Sequence, residues 1–99
     1  MGSRKSSQHD KGLTKLLLDL KSEIPGTILI SKEAQFIQGN RIIAEPDGLI
    51  WDGKTLHIIE YKCNGRSEEK AQEQLTRARR FIENDLGLYV PCNEIFRYG

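Results

Sequence analysis

The sequence predicts an α/β domain, a mixed sheet flanked by helices, in the order α-β-β-β-α-β. Two segments, Gly12 to Ile24 and Ser67 to Ile82, repeat apolar residues at helical spacing. Between them lie three runs rich in β-branched and aromatic residues, divided by turn signals, and a fourth such run closes the chain. Helix first, strands next, then helix and strand again fits a sheet covered on both faces.

Residues 1–11 are polar and hold no apolar stretch of signal-peptide type, so they read as a flexible leader before one domain at 12–99. In the first helix Leu13, Leu16, Leu17, Leu20 and Ile24 form the apolar stripe, with Asp10 as N-cap and Pro25-Gly26 as the stop. Thr27 to Ile37 is the first strand, and Gln38-Gly39-Asn40 the turn after it. Arg41 to Trp51 is the second strand and Thr55 to Cys63 the third. Asp52-Gly53 between them is the dipeptide of a two-residue hairpin. Ser67 caps the second helix, with Glu68 and Glu69 in its first turn and Ala71, Leu75, Ala78 and Ile82 as its stripe. Asn84 to Gly87 ends it. Leu88 to Tyr98 is a last strand, which Pro91 places at an edge or a bulge.

A chain of 99 residues with 29% charged and 37% hydrophobic side chains suits one soluble domain. No apolar run is long enough to span a membrane. Two cysteines without CxxC spacing, and no export signal, predict reduced thiols and a cytoplasmic setting. They also cannot hold a four-thiolate cluster. A net charge of +1 gives no bulk attraction to nucleic acid, so any basic patch must come from clustering.

Three charged residues interrupt the apolar strands: Asp47, Glu60 and Lys62. Strand alternation puts Glu60 and Lys62 on one face, and His57, Tyr61 and Cys63 on the other. With a two-residue turn Asp47 is diagonal to Glu60; with a four-residue turn it lies directly opposite. Either register brings the acids together. Carboxylates crowded on a half-buried face repel unless a cation or proton relieves them, and hard oxygen ligands suit Mg²⁺ or Mn²⁺. The competing reading is a solvated salt-bridge face. Against it, Asp47 sits between Pro46 and Gly48 in an otherwise apolar strand, and Glu60 follows the apolar Leu56-His57-Ile58-Ile59.

Pro46-Asp47 and Glu60-Tyr61-Lys62, on two strands joined by a turn, resemble the signature of the PD-(D/E)XK nuclease superfamily, including small members like the Holliday-junction resolvases. The resemblance runs from Gly12 to about Tyr98. It implies a restriction-endonuclease-like core and a metal-dependent endonuclease. Asp47, Glu60 and the main-chain carbonyl of Tyr61 are the implied Mg²⁺ or Mn²⁺ ligands, and Lys62 the implied catalytic lysine. Members often add an acid from the first helix. Glu23 is the residue for that role here, unless it is a helix-end glutamate reaching solvent. Glu33 and Glu45 are further candidates. Many members carry a glutamine on the following helix; Gln74 fits by spacing and angle, Gln72 less well. The tyrosine that some exonuclease-like branches place four residues later is Ala78 here.

Asn64, Arg66 and Lys70 follow the implied active strand and are candidate phosphate contacts. Arg77 reads instead as the partner of Glu73. His57, Cys63 and Trp51 read as structural. The resemblance implies DNA as the partner, with no small-molecule cofactor. Cleaving both strands of a duplex or junction needs two sites, so a homodimer is expected, with Ile95, Phe96 and Tyr98 as a hydrophobic edge. The alternatives are a single-strand or RNA nuclease of the same fold, and a non-catalytic nucleic-acid-binding or assembly module.

Overall fold

A computed structural model describes residues 7–62, 68–87 and 89–98. The elements are α1 (Ser7–Glu23), β1 (Leu29–Lys32), β2 (Phe36–Gln38), β3 (Arg41–Ala44), β4 (Gly48–Trp51), β5 (Leu56–Lys62), α2 (Glu68–Arg80) and β6 (Cys92–Tyr98). A π-helical turn, Phe81–Asp85, continues α2, with the Leu86 N–H donating to the Phe81 carbonyl at 3.0 Å.

Four strands form the main sheet in the order β1-β4-β5-β6, and β2 and β3 form a separate two-stranded sheet. β4 runs antiparallel to both β1 and β5, whereas β6 runs parallel to β5. The sheet is therefore mixed, as expected. A parallel neighbour needs a long crossover, and α2 lies between β5 and β6 in the chain.

β5 is buried along most of its length and separates two cores. Ile59 and Tyr61 join Leu13, Leu17 and Leu20 of α1, with Ile50 and Ile95. Ile58 joins Leu75, Ala78 and Ile82 of the opposite helical layer, with Ala44. Successive residues of a strand face opposite sides, so the three layers are helix–sheet–helix.

Several expectations need correction. α1 begins at Ser7, so residues 7–11 are helical rather than leader and Asp10 lies inside the helix instead of capping it. Lys32 holds Asp10 there by an ion pair and donates to the Thr14 hydroxyl at 3.0 Å. The first and second strands each break in two. Glu33 takes a left-handed conformation (φ 57°), which ends β1. Pro46 lies between β3 and β4 and has no N–H for a ladder. The β4–β5 loop has four residues, with Trp51 opposite Leu56, because Asp52 Oδ1 accepts from the N–H groups of Lys54 and Thr55 at 2.8 and 2.7 Å. The last strand starts at Cys92, after Pro91. Ile95 is buried in the first core and Phe96 packs against the second, so neither forms an exposed edge; Tyr98 is half exposed. Cys63, Ser67 and Leu88 lie outside the described residues. Among the described residues, no helix is long and apolar enough to cross a membrane.

Candidate functional site

Asp47 and Glu60 are 1% and 3% exposed, the deepest acids among the described residues. Their closeness follows from the four-residue loop. Gly48 pairs with Ile59, so the next position back, Asp47, stands across from Glu60. Gly48 is buried, and a Cβ there would fall 2.7 Å from a Leu17 methyl. The absent side chain lets α1 pack down beside Asp47.

A buried carboxylate needs hydrogen-bond donors, and main-chain groups supply them. The Asp47 N–H donates to Glu60 Oε1 at 3.2 Å, and the Tyr61 N–H donates to Asp47 Oδ2 at 2.8 Å. The Glu33 N–H in turn donates to the Asp47 carbonyl at 2.8 Å. Backbone thus fixes both acids before any ligand arrives. Lys62 Nζ lies 3.7 Å from Glu60 Oε2 and is half-buried.

These groups open into a cavity of about 460 Å³. Its lining brings together Glu33, Glu45, Asp47, Glu60, Lys62, Lys70 and Gln74, with Gln35 and Pro46. Four carboxylates face two ammonium groups there, an excess of negative charge. Gln74 Oε1 is buried and has no hydrogen-bond partner among the described residues.

Glu23 is not in the cavity: it is the exposed last residue of α1. The spacing that put it at the edge of the stripe places it at the wrong end of the helix. Gln72 donates to Glu94 at 2.9 Å, and both lie outside the cavity lining. Asn64 and Arg66 fall outside the described residues.

The residue of α1 that does reach the site is His9. Its Nε2 is 3.0 Å from the Tyr61 carbonyl oxygen and 3.8 Å from Asp47 Oδ2. A carbonyl oxygen can only accept, so Nε2 carries the hydrogen in this contact. The ring also meets the Tyr61 ring edge-on, with centroids 5.3 Å apart. The signal was present in the sequence: His9 stands four residues before Leu13 and extends the buried stripe back by one turn.

His57 points away from the acids, as the strand parity predicts. Its Nε2 lies 2.9 Å from Asp52 Oδ2 and its Nδ1 3.1 Å from the Asn93 amide nitrogen. The bond to His57, then the main-chain donors of Thr55 and Lys54, lower the Asp52 pKa from 3.8 to about 2. This chain ties the β4–β5 loop to β6. Burial pushes the Cys92 thiol up, which disfavours the reactive thiolate.

Among the described residues, no three His, Cys, Asp or Glu side chains are gathered so as to hold a metal ion. Of the implied ligands, Asp47 and Glu60 line the cavity together, whereas the Tyr61 carbonyl accepts from His9 and Tyr61 is not among the lining residues. Comparisons with family models, curated proteins and solved structures return no match for this chain.

Proposed function

We propose that this protein is a divalent-cation-dependent nuclease that hydrolyses phosphodiester bonds of DNA. The observation that carries the reading is the meeting of buried Asp47 and Glu60 at the wall of one cavity, with Lys62 beside Glu60. Two buried acids held by backbone N–H groups contribute little that apolar residues would not contribute to stability. A cation site gives them a reason.

The donor set fits such an ion. Asp47, Glu60 and the Tyr61 carbonyl are hard oxygen donors, and Mg²⁺ characteristically takes one or two carboxylates and keeps its other positions for water and phosphate. The negative excess in the cavity lining favours the same occupant. When bound, the cation supplies Lewis acidity, which lowers the pKa of water and offsets charge on the phosphate.

The chain's own groups supply the rest. Lys62 holds positive charge at the cavity wall, where it stabilises the oxygen that gains charge as the phosphodiester is attacked. Gln74 offers its buried oxygen, without a partner among the described residues, as the acceptor that orients water. Lys70 holds a neighbouring phosphate by charge neutralisation. His9 is a positioning residue: its hydrogen bond fixes the direction of the Tyr61 carbonyl. DNA as the substrate, and a homodimer for cutting two strands, rest on the resemblance to the PD-(D/E)XK nucleases.

The test is Mn²⁺ binding by titration calorimetry beside cleavage of a labelled duplex. Asp47→Asn keeps the volume and an acceptor for the Tyr61 N–H. It is expected to weaken Mn²⁺ binding at least tenfold and to slow cleavage by a factor of 10² or more. His9→Ala is expected to weaken the ion several-fold and leave a measurable rate. Unaltered binding and cutting in Asp47→Asn would refute the assignment. DNA binding with neither Mn²⁺ binding nor cutting by the wild type would support the binding-module alternative.

A further inference from the structure

The β2–β3 hairpin is left over by this account. Among the described residues its two strands pair only with each other, and its feet line the candidate site. Glu33 and Gln35 precede it, Glu45 and Asp47 follow it, and Gln35 Nε2 donates to Glu45 Oε2 at 3.1 Å across its base. Its root is packed: Phe36 stacks on Phe81 with centroids 5.2 Å apart, and Ala44 is buried. Beyond the root, Ile37 and Ile42 stand opposite each other, 55% and 52% exposed. Burying that root does not require two aliphatic side chains side by side in water.

The charge pattern names the occupant. The ten residues Gln35 to Ala44 contain no acid, in a chain that holds 14. The exposed polar residues toward the tip are Gln38, Asn40 and Arg41. Two amides and a guanidinium are the groups that bond base edges and phosphates. Branched aliphatic side chains are the wedges that proteins set against base steps. Three residues in β2 and four in β3, at about 3.3 Å each, make limbs about 10–13 Å long, comparable with a groove roughly 8 Å deep.

We propose that β2–β3 is an arm that enters a groove of double-stranded nucleic acid. Ile37 and Ile42 press on a base step, and Arg41 lies along the backbone or a base edge. The inference rests on the nuclease reading and extends it to substrate recognition. A phosphodiester that enters the cavity brings its flanking base pairs against the arm, because the cavity wall and the arm's feet are the same residues. An acid-free, amide-bearing tip favours nucleic acid over a second copy of this chain.

The experiment uses the full chain with Ca²⁺ in place of Mg²⁺, and a duplex and a four-way junction carrying 2-aminopurine. Affinity is read by anisotropy and unstacking by 2-aminopurine fluorescence. Ile37→Ala/Ile42→Ala is expected to bind about tenfold more weakly and to lose the fluorescence rise seen with wild type. Arg41→Ala is expected to lower the salt dependence of binding by about one phosphate contact. Thermal melting should be unchanged, since these side chains are exposed. Equal affinity and equal unstacking in both variants would overturn the arm. So would loss of a wild-type dimer in the isoleucine variant, which would assign the pair to an interface between copies. Wild type that neither binds nor, with Mg²⁺ or Mn²⁺, cuts nucleic acid would overturn the nuclease reading itself. Cutting with arm-independent binding would overturn only this inference.

Discussion

Tyr61 joins the helical layer to the candidate site through three different parts of one residue. Its N–H holds Asp47, its carbonyl accepts from His9, and its ring packs beneath α1. The ring fits there because position 12 has no side chain: a Cβ on Gly12 would lie 2.0 Å from the Tyr61 hydroxyl oxygen. Gly12→Ala is therefore expected to destabilise the fold by about 1–3 kcal/mol, as overpacking does, and to weaken ion binding by tilting the Tyr61 peptide. Thermal melting and Mn²⁺ titration on one preparation check both. Glu33 carries the opposite kind of strain, a left-handed backbone on a residue with a Cβ. Glu33→Gly is expected to gain up to about 1 kcal/mol in a melting experiment and to lose activity, because its carboxylate lines the cavity. Asp52 provides a pH test away from the site. Its folded pKa of about 2 lies below the ordinary 3.8, so its contribution is complete above about pH 4 and is lost as pH falls towards 2. Asp52→Asn should flatten the stability profile across that window in acid-denaturation curves.

Among the elements, both helices, the final strand and the β4–β5 hairpin are legible, because their apolar periods persist for several turns or pleats. The α1 boundary was misplaced because Lys11, Asp10 and Gln8 are polar, and a solvent-facing first turn looks like a leader. The strand breaks were hidden for another reason. Thr27 to Ile37 and Arg41 to Trp51 each keep one β-rich composition, and nothing local marks where pairing partners change. The two-residue turn lost to Asp52, whose side chain caps a wider loop. The convergence of Asp47, Glu60 and Lys62 on one cavity is readable from strand parity, whereas Gln74 is singled out by the resemblance, with helical angle preferring it to Gln72. Glu23 was misplaced because angle on a helix says nothing of which end faces the site. His9 escapes a sequence reading because its neighbours Gln8, Asp10 and Lys11 are polar and mask the stripe it extends. The α2 layer offers its own check: Leu75→Ala, at a residue 2% exposed, should cost about 2–5 kcal/mol and loosen the wall that carries Gln74 and Lys70. Chemical denaturation measures the first effect, and cleavage kinetics the second.

For the whole molecule, setting the β2–β3 arm aside leaves the order α-β-β-β-α-β, and the candidate site lies where the arm joins the sheet. The sheet supplies two acids and a lysine, α1 supplies His9, and α2 supplies Gln74 and Lys70. A site drawn from three layers depends on the packing of all three, so activity should fall before secondary structure does on heating. The most direct test of the central claim is single-turnover cleavage of labelled single-strand, duplex, flap and four-way-junction DNA, with Mg²⁺, with Mn²⁺ and with chelator, by wild type and Glu60→Gln. Cation-dependent cutting of at least one of these substrates is expected, abolished by chelator and slowed about 10²-fold or more in the variant. Cutting that persists in chelator or in Glu60→Gln, or a folded wild type that binds no divalent cation and cuts none of the four, would contradict that claim.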